Sequence, residues 1–100
     1  MKRALILSPK DNVATALEDV SPNEKVEAQL GKETRILDAH EAVPFGFKIT
    51  LADIPKGEVV TKYGEAIGKA NEDIVKGSLV HTHNLEGARG RGDLTRRKSE

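Results

Sequence analysis

One hundred residues with 16 Lys+Arg, 16 Asp+Glu and 37% hydrophobic side chains fit one small domain and exclude two. Leu, Ile, Val and Phe together number 25, above the roughly 20% below which chains tend to stay disordered, and zero cysteines exclude a disulfide framework, a thiolate metal site and a Cys nucleophile. The apolar run Ala4–Leu7 behind Lys2-Arg3 is far too short for a signal segment or a membrane span, which predicts a cytoplasmic, soluble protein with no membrane partner.

The apolar set leans on Val and Ile, with ten Ala and no Trp, which favours thin, closely packed strands over a helical bundle. Arg3–Leu7 reads as a strand stopped by Ser8-Pro9, because proline cannot donate to a ladder. Asn12–Leu17 is a second extended piece, Asp19–Asn23 a turn, and Lys25–Gln29 a returning strand with Val26 on one face. Gly31-Lys32 turns the chain into Thr34–Leu37, and Pro44 argues against a helix over the segment that follows. In Phe45–Leu51, alternation sets Phe47, Ile49 and Leu51 on one side of a strand. Asp53–Gly57 turns into the strand Glu58–Lys62, Tyr63-Gly64 breaks it, and Glu65–Lys69 begins the next extension. Asp73–Gly77 is a third turn, and Leu79–His83 closes the series as a strand. The expected fold is mainly β, with short strands, tight turns and at most short helical turns.

Three of these turns share a frame. Asp19–Val26, Asp53–Val60 and Asp73–Val80 each run Asp, β-branched residue, two variable, Gly or Asn, two variable, Val. The Asp is expected to accept hydrogen bonds from amides of the turn it opens, the β-branched residue to plug the core, and Gly or Asn to take the left-handed conformation. Their unequal spacing along the chain excludes a solenoid, whose period would be constant.

The zero net charge hides a division. Residues 1–88 carry 11 basic and 14 acidic side chains, whereas 89–100 carry 5 and 2, so an acidic body ends in a basic tail. In Arg89-Gly90-Arg91-Gly92-Asp93 the glycines leave the guanidinium forks of Arg89 and Arg91 free to meet a carboxylate or phosphate. An acidic body and a tail without aromatics argue against nucleic acid as a partner. His81 and His83 stand at i and i+2; on a strand both would face one ion, with His40, Asp11, Glu65 and Glu86 available as further ligands. Gly64 and Gly68 lack the Lys-Ser/Thr ending of a phosphate loop.

Asp11–Leu17, Gly46–Ile49, Asp53–Glu58, Lys62–Gly68, Val80–Asn84 and Arg89–Asp93 occur in this order along the chain. Together they resemble the N-terminal SAF domain of the altronate and galactarate dehydratase family, which also occurs as a separate small subunit, including in sulfolactate sulfo-lyase. The resemblance implies a β-clip fold over residues 1–88, shared with the antifreeze-like domain of sialic acid synthases, while the glycine-flanked arginines themselves predict a flexible basic tail at 89–100. It implies metal-dependent β-elimination of water or sulfite from a sugar acid or hydroxy acid, in carbohydrate metabolism, together with a larger catalytic subunit and without activity alone. A homo-oligomer is left open.

The family's residues fall on Asp11, Asn12, Lys48 and Asn84 for substrate binding, and on His81 and His83 for a divalent metal, Fe, Mn or Zn. Arg89, Arg91 and Lys48 would pair with substrate carboxylates. Family members commonly place histidines where this chain has Ser8 and Phe47, and neither residue can replace an imidazole ligand. That difference supports the alternative, a non-catalytic module that binds a carbohydrate acid or a protein.

Overall fold

The computed structural model describes residues 1–87. Nine strands occur among them: β1 (Lys2–Leu5), β2 (Val13–Ala16), β3 (Lys25–Leu30), β4 (Glu33–Asp38), β5 (Lys48–Thr50), β6 (Val59–Lys62), β7 (Glu65–Ala70), β8 (Leu79–Val80) and β9 (Leu85–Gly87). Six form a sheet in the order β4-β3-β1-β2-β5-β8, and three form a second in the order β6-β7-β9. Every pairing is antiparallel except β1 with β3. No helix long and apolar enough to cross a membrane occurs among the described residues.

The sheets stay thin because small residues fill their inner rows. Ala4 lies opposite Ala16 and Ala28, and Ala14 opposite Ile49; with Val26 and Val43 they make a first core inside the larger sheet. Val13 and Val80, on the other face of that sheet, meet Val60, Ala70, Ile54 and Ile74 in a second core against the smaller sheet. Each wholly buried valine contributes about 1.5–3 kcal/mol by leaving water.

The repeated turn occurs four times among the described residues. Asn23, Gly46, Gly57 and Gly77 all have φ between 71° and 90°, and each precedes an N–H that donates to the carbonyl three residues back, on Ser21, Pro44, Pro55 and Val75. The fourth copy, around Gly46, lacks the leading Asp, which is why the sequence frame does not find it. The left-handed residue's own N–H donates in every copy to a buried small residue elsewhere in the chain: Ala39, Ala16, Ala70 or Thr50. Gly77 is the most constrained, because a Cβ there would run into the Asp38 carbonyl oxygen.

The turns work in pairs. Val20 bridges Val43 and Ile54 bridges Ile74, with both N–H groups of the second pair donating across at 2.8 Å. The carboxylates differ here from the sequence expectation. Asp53 Oδ1 accepts from the Lys76 amide and Asp73 Oδ1 from the Lys56 amide, both at 2.8 Å, while Asp19 Oδ1 accepts from Phe45. Each Asp thus caps the partner turn instead of its own.

Two further boundaries change. Leu79–His83 is not one strand: β8 stops at Val80, because the buried Asn84 side chain accepts from the His81 N–H at 3.0 Å and donates to the Leu79 carbonyl at 2.8 Å, closing a turn over His81–Asn84. The chain then re-enters as β9, which pairs with β7.

Candidate functional site

The family-matched residues divide between holding the fold and facing solvent. Asp11, only 5% exposed, accepts four backbone hydrogen bonds. Its Oδ2 takes the N–H groups of Leu7, Ser8 and Tyr63 at 3.3, 3.1 and 2.9 Å, and its Oδ1 takes that of Gly64 at 2.9 Å. One carboxylate therefore fixes both the loop after β1 and the β6–β7 hairpin, whose Tyr63-Gly64 turn has positive φ at both residues, the geometry a two-residue hairpin needs. Asn12 imitates a strand: its Oδ1 accepts from the Thr61 N–H at 2.8 Å and its Nδ2 donates to the Val59 carbonyl at 3.0 Å. Together Asp11 and Asn12 tie the two sheets to one another. Asn84 holds the turn described above.

Lys48 is the half-buried member. It lies opposite Thr15 on β2 and Val80 on β8, so its side chain leaves the sheet on the face of the second core. Half-burial, and secondarily the charge of Lys62, hold its ammonium below the usual lysine value. Sequence reasoning did not single out Lys62. Lys62 ends β6, two residues beyond the wholly buried Val60 and past a register shift between Val60 and Thr61.

His81 and His83 do not form the expected pair on one strand face. They sit in the turn, both exposed. The His81 ring packs edge-on against Phe47 with centroids 4.8 Å apart. Because Phe47 packs on the first core, the register sets His81 and Lys48 on opposite faces of the β5–β8 ladder. No group of three or more His, Asp or Glu among the described residues could hold a metal ion; position 47, which would bring the nearest second imidazole to His81, is phenylalanine. This chain's described residues alone thus do not complete a coordination set. Arg89, Arg91 and the basic tail lie outside the described residues.

Two sheets of short strands, with no helix among the described residues, are consistent with a SAF-like β-clip. The chain belongs to the altronate/galactarate dehydratase SAF domain family, whose model matches residues 2–88. It is 34% identical over 86 residues to altronate dehydratase of Bacillus subtilis (strain 168), a match covering 86% of this chain and 16% of that protein. With altronate dehydratase of Escherichia coli (strain K12) it shares 45% identity over 74 residues, 74% of this chain and 14% of the relative. The (2R)-sulfolactate sulfo-lyase subunit alpha of Paracoccus pantotrophus is 42% identical over 50 residues, half of this chain and 75% of that subunit. The chain therefore spans about a sixth of the altronate dehydratases it matches, and half of it spans 75% of a sulfo-lyase subunit alpha.

Proposed function

We propose that this chain is the SAF unit of a carbon–oxygen or carbon–sulfur lyase, working with a larger lyase polypeptide on a sugar acid or hydroxy acid in the cytoplasm. The observation that carries the reading is family membership across residues 2–88 combined with a half-buried lysine, Lys48, that has no acidic partner within the described residues. Elimination next to a carboxylate proceeds through a negatively charged enediolate, and a fixed positive charge in a partly dry site stabilises that species. Lys48 supplies such a charge, while Asp11 and Asn12 keep the surrounding backbone in place. Arg89 and Arg91 add guanidinium groups for a second acid group. His81 and His83 form an incomplete ligand set, so a divalent Fe, Mn or Zn ion in the assembled enzyme would draw its remaining ligands from the larger chain.

Co-expression with the larger lyase polypeptide tests this. Copurification of the two chains, and dehydratase or sulfo-lyase turnover that requires both, are expected; full turnover by the larger chain alone would end the proposal. A second reading, a binding module without catalysis, is favoured by Phe47 against His81. Metal analysis separates the two, since stoichiometric metal in the complex that disappears in His81→Ala/His83→Ala counts against the binding module.

A further inference from the structure

Two of the outer strands are closed by side chains. β8 pairs only with β5, and on its free side the Leu79 N–H donates to Glu41 Oε2 at 2.9 Å while the Leu79 carbonyl accepts from Asn84 Nδ2 at 2.8 Å. β6 is treated likewise: Asn12 accepts from the Thr61 N–H at 2.8 Å and donates to the Thr61 and Val59 carbonyls at 3.3 and 3.0 Å. These bonds consume backbone groups that a further strand would use.

β4 is left open. The Ala39 N–H donates to the Glu24 carbonyl at 2.9 Å, and back along the hairpin Leu37, Arg35 and Glu33 face β3 in the same manner. Thr34 and Ile36, which alternate with them, turn their N–H and C=O groups outward, and those groups meet no described partner. The Ile36 side chain is 49% exposed and borders a groove of about 380 Å³ that also takes in Leu37, Asp38, His40 and Lys76. Glu33 and Arg35 are exposed as well, and neither makes an ion pair or a side-chain hydrogen bond with a described residue.

We propose that β4 is the self-association edge of this protein: two copies pair their β4 strands antiparallel about a two-fold axis through Thr34. The charge pattern selects that register. It sets Glu33 of each copy opposite Arg35 of the other, so that both exposed charges are answered on each side of the axis, and it lets the two Thr34 residues exchange N–H···O bonds. Lys32 of the second copy then lies across from Ile36, and the Gly31-Lys32 turn of that copy enters the groove beside Leu37. The neighbouring axes fail. One through Arg35 opposes arginine to arginine, and one through Ile36 pairs Thr34 with Asp38, whose carbonyl lies against Gly77. Charged side chains on an edge ordinarily deter pairing; here they deter the wrong registers and favour one. An isologous contact of this kind closes as a dimer, and the capped edge of β8 stops further growth. The inference goes beyond the lyase reading and does not rest on it.

The test is sedimentation velocity of the full 100-residue chain across about a hundredfold range of concentration, with amide hydrogen exchange read by NMR at both ends of the range. A monomer–dimer equilibrium is expected, with exchange of the Thr34 and Ile36 amides slowing as the dimer forms. Arg35→Glu is expected to weaken the dimer by at least about tenfold, since it sets two carboxylates against each other on both sides of the axis, and Glu33→Arg/Arg35→Glu is expected to restore it. Thr34→Pro removes an outward N–H and no ladder bond, and is expected to leave only monomer; if that variant loses its fold, the charge reversal and its rescue still decide. Monomer at every concentration would overturn the proposal. So would a dimer that Arg35→Glu leaves intact, or one that the double exchange fails to restore.

Discussion

Asp11 accepts hydrogen bonds on both carboxylate oxygens from amides that come from two separate segments of the chain. Removing it leaves four backbone N–H groups without their acceptor, and each buried unpaired group costs about 1–3 kcal/mol. Asp11→Ala should therefore lower unfolding stability by about 3 kcal/mol or more in urea titration, a loss large enough to unfold much of a small domain. Lys48 should behave in the opposite way. Its folded-state pKa lies below the unfolded value, so folding penalises its charged form. That penalty is complete below the folded pKa and disappears as pH rises toward the unfolded pKa, which means stability climbs across that window. Lys48→Met should abolish the climb and keep stability at pH 7 within about 1 kcal/mol of wild type or above it. Urea unfolding of both proteins from pH 7 to pH 11 measures this directly.

At the scale of elements, the paired turns define the fold. Asp53 caps the turn that contains Lys76, Asp73 caps the one that contains Lys56, and the Ile54–Ile74 bridge lies between them. Asp53→Ala and Asp73→Ala should each cost about 1 kcal/mol. The double variant should cost less than the sum of the two, because the first loss already loosens the shared pair of turns. A double-mutant cycle by thermal unfolding gives the coupling, and strict additivity would show that the turns act independently. The frame of Asp, β-branched residue and Gly or Asn was legible in the sequence because each position answers a local backbone need. The partner of each Asp was not, since Asp53 and Lys76 are 23 residues apart and nothing local marks the pairing. The copy around Gly46 escaped for a different reason: its local signal, the Asp, is replaced by Ala42. The His81–His83 spacing misled because alternation assumes an extended backbone, and the Asn84 side chain captures the His81 amide and bends the chain first. Residues 85–87, with Glu and Gly among three positions, carry no strand pattern of their own and become β9 only through pairing with β7.

At the scale of the whole molecule, the division of charge has a structural counterpart. The acidic body of residues 1–88 places many of its carboxylates on the outside or on backbone amides, and its half-buried Lys48 leaves the larger sheet on the face turned to the smaller one, at the junction of the two. Asp11, Asn12 and Asn84, which the family pattern marks for the site, stand behind that junction as its frame. The unit matches 16% of an altronate dehydratase, and on the proposed function it contributes position and charge to a larger chain that holds the remainder of the reaction surface. The most direct measurement is kcat/KM of the larger lyase polypeptide on its sugar acid or hydroxy acid, taken without this chain, with it, and with its Lys48→Met form. Turnover that requires the wild-type chain and falls by about a hundredfold with Lys48→Met, equivalent to roughly 2.7 kcal/mol of lost transition-state stabilisation, is the predicted result. Equal kcat/KM in all three mixtures would contradict it.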